Sequence, residues 1–135
     1  KNPAAAQKAA EAEPEGAWRY FALAMAAQIG TDRAAADARL EACIRGYSVG
    51  WAFQIAQVYA VRGEPDAMFQ WLDKALAARD PGMQSLLYDP LLLRYRDDPR
   101  YAALARKVGL PWPPAAISAA SATTPRPATT PAAPH

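Results

Sequence analysis

The most regular pattern of apolar and polar positions lies between residues 49 and 81. Apolar residues recur there at steps of three and four, which places them on one face of a helix. The first series is Ala52, Ile55, Ala56 and Tyr59, and the second is Met68, Leu72, Ala75 and Leu76. A turn at residues 62–65, RGEP, separates the two series. The pattern predicts two antiparallel helices, which the small side chains of Ala56 and Ala75 allow to approach closely.

The same pattern occurs earlier in the chain and predicts a second hairpin beside the first. Trp18, Phe21, Ala22 and Met25 precede the first series at one constant offset of about 34 residues, a period typical of helical repeats. Ala36, Leu40, Cys43 and Ile44 precede the second series at a constant and slightly shorter offset. The difference falls in the turn at residues 30–32, and turns tolerate insertions better than helices do. Thr31 or Asp32 is expected to cap the following helix, and Gly46 is expected to end it.

The stretch before the first hairpin predicts one more helix. It is rich in alanine, Pro3 follows Asn2 at its start, and Pro14 stops it. Proline is tolerated in the first turn of a helix and breaks a helix further along. We expect this helix to be the remnant of a preceding helical pair. The start at Lys1, without an initiator Met, indicates a cut inside a longer protein.

The repeating pattern breaks after residue 81. A third copy would place the pair Asp89–Pro90 inside its first helix, where neither residue fits. We instead predict one short helical turn at residues 83–88 and a final helix over residues 99–108. Asp98 would cap this final helix, and Gly109 would end it.

The chain changes character beyond residue 110. Residues 111–135 consist mainly of Pro, Ala, Thr and Ser and show no periodic apolar face. A segment of this composition cannot bury enough apolar surface to offset the entropy lost on ordering. We therefore predict a disordered tail or linker with local polyproline-like stretches.

Composition narrows the chemistry that the chain can perform. Of its 135 residues 52% are hydrophobic, and about half of these are alanine, so a stable core requires closely packed helices. The net charge of +2 creates no strong field toward nucleic acid or an anionic membrane. The sole histidine is the terminal His135, which argues against a histidine-based catalytic group or zinc cluster. Cys43 lies on an apolar stripe and is predicted as a core residue. With neither the histidine nor the cysteine in a suitable position, no catalytic residue, metal site or cofactor is expected.

The two predicted hairpins resemble tetratricopeptide repeats, which are helical hairpins of about 34 residues with small and large apolar residues at fixed steps. Three stretches carry the resemblance: AWRYFALAM, FQIAQVYAVRGEPDAMFQWLDKAL and DPLLLRYRDDPRYAALARKVGLP. They are similar to the C-terminal tetratricopeptide segments of bacterial multidomain regulators. The resemblance covers roughly two-thirds of the chain. It implies an all-α, right-handed superhelical stack of antiparallel helix pairs and a role in protein–protein interaction.

These patterns divide the chain into five segments. Residues 1–14 form the remnant helix, 15–46 and 47–81 the two repeat units, 82–110 the capping helices, and 111–135 the tail. A repeat stack needs a terminal cap with one polar face. The expected architecture is therefore about two repeat units between a flanking helix and a cap.

A partner surface is predicted on the concave side of this stack, where the first helix of each repeat would face a ligand. Its side chains point away from the predicted pair interface and belong to Arg19, Tyr20, Leu23, Phe53, Gln54 and Gln57. Aromatic, arginine and amide side chains are typical of peptide-binding surfaces. The alternative is that Tyr20 and Phe53 pack against the flanking helix or the cap. Trp51 and Trp71 are further candidates for an interface.

The function expected from the sequence is a non-catalytic interaction module that binds a peptide or a neighbouring domain. The alternative is a scaffold for self-association, in which the partner is a second copy of the chain. Nucleic-acid binding is disfavoured because Asp97 and Asp98 interrupt the C-terminal arginines. No membrane span is expected, since charges interrupt every apolar run. The compartment stays open between the cytoplasm and, if an upstream segment anchors the protein in a membrane, the periplasm.

Overall fold

The computed structural model describes residues 2–113. The regular secondary structure in this part of the chain is helical, without a strand. The α-helices are α1 (Pro3–Ala12), α2 (Ala17–Ala27), α3 (Arg33–Tyr47), α4 (Ala52–Arg62), α5 (Pro65–Ala77) and α6 (Pro99–Val108). Two 3₁₀ segments, Pro81–Ser85 and Leu92–Tyr95, lie between α5 and α6. The all-α prediction is confirmed for these residues. The predicted tail lies, from residue 114 onward, outside the described residues.

Local side-chain chemistry sets the helix boundaries. Asp32 caps α3 by accepting a hydrogen bond from the backbone N–H of Ala35 at 3.0 Å. Asp98 caps α6 in the same way, with the N–H of Arg100 at 2.9 Å. Gly109 ends α6 in the left-handed conformation, with φ of 82°, which glycine adopts without steric cost. Both caps and this stop agree with the sequence predictions.

Helices α3 and α5 end without a left-handed glycine, unlike α6. Gly46 was expected to end α3, but the helix continues to Tyr47, and the Ser48 N–H still donates to Ile44 at 3.1 Å. Gly46 is not left-handed, so it does not turn the chain. Arg79 takes that role after α5, with φ of 55°, and the next N–H, of Asp80, donates back to the Ala75 carbonyl at 2.9 Å.

The four central helices form two antiparallel pairs that pack against each other. Helix α2 pairs with α3, and α4 pairs with α5. The pairs meet through α4, which contacts both α2 and α3, while α1 packs against α2. Ala56 and Ala75 are fully buried in one cluster, as expected for two helices that approach closely. A second cluster, which includes Leu40, Ile55 and Val58, lies between the two pairs.

The second helices of the two pairs are buried in matching positions. Ala36, Leu40 and Cys43 of α3 are buried, and so are Met68, Leu72 and Ala75 of α5, which follow them at one constant offset in the sequence. Burial raises the pKa of the Cys43 thiol, as expected of a core cysteine. The first helices match less closely, because Ala52 of α4 is buried whereas Trp18 of α2 is exposed.

The segment after α5 closes the end of the second pair without forming a long helix. The Asp80 carboxylate accepts hydrogen bonds from the N–H of Gly82 at 2.8 Å and from the N–H of Phe53 at 3.2 Å. It therefore caps the first 3₁₀ segment and also the start of α4. A side chain at Gly82 would lie 2.6 Å from the Phe53 ring, so this close approach requires glycine. Leu86 and Leu92 complete the core beside α4 and α5.

The close α4–α5 contact predicts the effect of enlarging Ala56. We expect Ala56→Leu to lower the free energy of unfolding by about 1–3 kcal/mol, because the added methyl groups have no space between the helices. Ala77→Leu is the matched control, since Ala77 is exposed at the end of α5. Urea unfolding followed by circular dichroism measures both. Equal stability of the two variants would contradict the packing described for Ala56.

Candidate functional site

An apolar groove of about 430 Å³ opens between α1, α2 and the end of α4. Helix α1 forms one side with three alanines and Glu13. The remaining side chains that line it are Ala22, Met25, Ala26, Ile29, Val61 and Leu91. Glu13 is the one titratable side chain among the described residues of this lining. A concave apolar surface of this kind suits a hydrophobic ligand or an apolar peptide side chain.

The shape of the groove follows from the alanines of α1. Ala10 packs against Leu23 and Ala26 of α2, and these three residues form a separate small cluster. Because alanine side chains are short, α1 lies close to α2 and fills little of the space beyond that contact. The side of α1 that faces Val61 and Leu91 therefore leaves a depression rather than a packed interface.

Polar contacts fix the position of Leu91 at the far side of the groove. The Asp89 carboxylate accepts hydrogen bonds from the backbone N–H groups of Leu91 at 2.9 Å and Leu92 at 3.2 Å. Its second oxygen accepts from the side-chain amide of Gln57 in α4 at 2.5 Å. Asp89 is buried, and a buried carboxylate needs such partners. The chain that carries Leu91 is thereby tied to α4.

The three predicted partner residues of α2 do not line this groove. Arg19 is partly buried; it donates to the Glu13 carbonyl at 3.2 Å and pairs with Glu15 at 3.8 Å. Tyr20 packs on Tyr47 of α3, with the ring centroids 5.1 Å apart. Leu23 is buried under α1. The expectation of an accessible Leu23 fails because α1 covers this face of α2.

Two of the three predicted partner residues of α4, Phe53 and Gln57, are engaged within the molecule. Phe53 is buried against Gly82, so the alternative of packing against the cap describes it correctly. Gln57 is bonded to Asp89, as described above. Gln54 is partly buried, and its side-chain oxygen has no hydrogen-bond partner among the described residues. Phe53 is therefore not available to a partner, and the role of the others stays a prediction.

The two tryptophans predicted as interface residues have different surroundings. Trp51 contacts the ring of Trp18 edge to face, with a centroid distance of 4.8 Å and an interplanar angle of 81°. Trp71 packs against both core clusters, and the Lys74 ammonium lies 3.9 Å from its ring centroid. Trp71 thus helps to join the two helix pairs, whereas Trp51 belongs to an exposed aromatic surface.

A charged network connects the two helix pairs at one end. The Arg62 side chain is only 5% exposed, and it donates to Asp37 of α3 at 2.6 Å and to Glu64 before α5 at 3.2 Å. It also donates to Gln28 at the end of α2 at 3.4 Å. Arg33 pairs with both acidic residues. The hydrogen bond from Arg62 lowers the pKa of the Asp37 carboxyl below its ordinary value of 3.8.

Sequence reasoning did not identify the residues of the groove or the network. Ile29 is a large apolar side chain next to a turn and just outside α2, which is the signal that could have pointed to the groove. Gln28 and Arg62 are separated along the chain by the same offset as the apolar series of α2 and α4. That coincidence could have indicated that the two side chains lie on neighbouring helices at the same level.

Residues 2–113 contain no group of three or more His, Cys, Asp and Glu side chains that could hold a metal ion. None of the helices in this range has the length and apolar character that crossing a bilayer requires.

Comparison with known proteins adds no relative. No protein-family model, no curated protein and no solved structure matches the chain.

The network predicts how stability depends on pH. Because the native Asp37 carboxyl has a lowered pKa, its stabilisation is complete above about pH 5 and is lost as the pH falls through the native pKa. We expect Asp37→Asn to lower the melting temperature at pH 7, and the difference from the parent chain to shrink as the pH is lowered from 5. Thermal unfolding across this pH range measures the difference.

Asp73→Asn is the control for this measurement, because Asp73 forms an exposed ion pair with Lys107 at 3.8 Å. Exposed pairs of this kind add little to stability. A loss of stability in Asp37→Asn that stays constant between pH 7 and pH 3 would contradict the proposed contribution of the Asp37 charge.

Proposed function

We propose that this chain is a tetratricopeptide-type interaction module and that its groove binds an apolar segment of a partner protein or of a neighbouring domain. The observation that carries the proposal is the pairing of two similar helical hairpins with an open apolar groove along the α2–α4 side. A hairpin of this type cannot bury its apolar face alone, so hairpins stack and leave elongated surfaces for partners.

The repeated burial pattern supports the tetratricopeptide part of the proposal. The apolar series of α2 and α4 are offset by about 34 residues, the period of this repeat class. The buried positions of α3 and α5 also correspond at a constant, slightly shorter offset. Helix α4 contacts both helices of the preceding pair, as the first helix of a following repeat does. We infer a right-handed superhelical stack from this repetition, with the segment after α5 as its cap.

The lining of the groove supports binding rather than catalysis. General acid–base or nucleophilic chemistry requires paired polar groups within hydrogen-bond distance of each other. The described lining offers one carboxylate, Glu13, among nine apolar side chains. Such a surface gains affinity by removing apolar area from water, and a partner that inserts one or two large aliphatic or aromatic side chains fits it best.

Ile29 provides the sharpest test of this site. It is an exposed residue of the groove lining, so Ile29→Glu changes the groove without entering the core. A phage-displayed peptide library selected on the full chain supplies ligands, and their affinities for the parent and the variant are measured by fluorescence polarisation. We expect Ile29→Glu to weaken them by about tenfold or more, the equivalent of losing one buried aliphatic contact.

Tyr88→Glu is the control, because Tyr88 is 78% exposed and does not line the groove. It adds the same charge at another exposed position and should leave the affinities unchanged. The proposal is overturned if the library yields no enriched peptide, or if both variants bind the selected peptides as the parent does.

A further inference from the structure

A second surface, separate from the groove, exposes large apolar side chains to solvent. Trp18 is 61% exposed at the start of α2, and Val49 in the loop before α4 is 94% exposed. Trp51 lies beside Trp18 and is partly buried. We call Trp18, Val49 and Trp51 the tryptophan corner. An exposed tryptophan in contact with a second tryptophan, with an exposed valine two residues along the chain from the latter, is a candidate interaction site.

The aromatic rings of the tryptophan corner suit a compact apolar ligand. The rings of Trp18 and Trp51 meet edge to face at an angle of 81°, so they are nearly perpendicular and do not stack. Phe21 supports Trp18, with the ring centroids 5.9 Å apart at 70°. Proline rings are compact and apolar, and proline-rich segments dock on aromatic surfaces in a preformed extended helix that loses little entropy on binding.

We propose that the tryptophan corner binds the proline-rich segment 125–134 of the same molecule. This segment reads PRPATTPAAP and belongs to the part of the chain that follows Pro113. Pro131 and Pro134 are three residues apart, the spacing that would put both rings on one face if the bound segment formed a polyproline helix.

The charges beside the tryptophan corner complement those of the segment. The segment carries one charged residue, Arg126, between two prolines. Glu13 and Glu15 lie in the exposed linker just before Trp18. Glu15 is only 3.8 Å from Arg19 and remains largely exposed, so its carboxylate is open to a second cation. The Glu15 carboxylate lies three residues before Trp18 in the chain, and we expect the proline-flanked Arg126 to pair with it.

The chain is long enough for an intramolecular contact. Trp112 packs on Tyr101 of α6 with the ring centroids 5.1 Å apart, so the segment starts from a fixed point on the cap. Residues 114–135 in a polyproline helix would span up to about 68 Å, at about 3.1 Å per residue. A domain of this size has a radius of gyration of only about 13 Å. An attached segment also acts at an effective concentration in the millimolar range, which compensates for weak affinity.

Fluorine NMR of the full chain labelled with fluorotryptophan tests this proposal. The four tryptophan signals are assigned with single Trp→Phe variants. The parent is compared with a chain in which Pro125, Pro127, Pro131 and Pro134 are replaced by Ala, and with a control in which Thr123, Thr124, Thr129 and Thr130 are replaced by Ala. We expect the Trp18 and Trp51 signals to move in the proline variant and not in the threonine variant, with Trp71 unchanged in both.

A peptide of residues 123–135 added to the proline variant should return the Trp18 and Trp51 signals toward their parent positions in a saturable way. The proposal is overturned if these two signals coincide in all three chains, or if the peptide does not move them. A parent signal that changes on dilution would overturn the intramolecular contact and assign the segment to a second copy. These outcomes are independent of Ile29 and the groove, so either proposal can fail while the other stands.

Discussion

The structure depends on the burial of α4 on nearly all sides. Six of its eleven residues are buried, and it contacts α2, α3, α5 and the first 3₁₀ segment. A helix in such surroundings cannot leave its terminal backbone groups to water. Its first turn has no local side-chain cap, and Asp80, 27 residues away, accepts the Phe53 N–H instead. At the other end the Tyr95 hydroxyl donates to the Ala60 carbonyl at 2.6 Å. Distant parts of the chain therefore complete α4.

This dependence explains why the segment between α5 and α6 is irregular yet ordered. Its buried carboxylates, Asp80 and Asp89, satisfy backbone N–H groups of their own turns and also reach α4. The segment after α5 thus gives α4 polar partners in place of a third hairpin. The Tyr101 hydroxyl, which donates to the Leu86 carbonyl, extends the same arrangement to α6.

The helices could be predicted from the sequence, whereas the surfaces could not. Apolar residues at three- and four-residue steps and caps such as Asp98 are local signals, and they located the helices closely. Leu23 and Phe53 were assigned to an open face because the segments that bury them carry no such signal. Six of the ten residues of α1 are alanine and none is a large apolar residue, so no large side chain marks its packing face. Residues 81–85 have no helical periodicity to reveal what they cover. The Arg62 network joins residues far apart in sequence, and charge alone does not identify such pairs.

The alanine contact between α1 and α2 has a consequence for the groove that α1 helps to form. Alanine buries little area, and a ten-residue helix is not stable in isolation, so α1 exists as a helix only while it is docked. Local opening of α1 would remove one side of the groove and uncover Leu23 and Ala26 in the same event. The groove therefore depends on the docking of α1 and would be lost together with that contact.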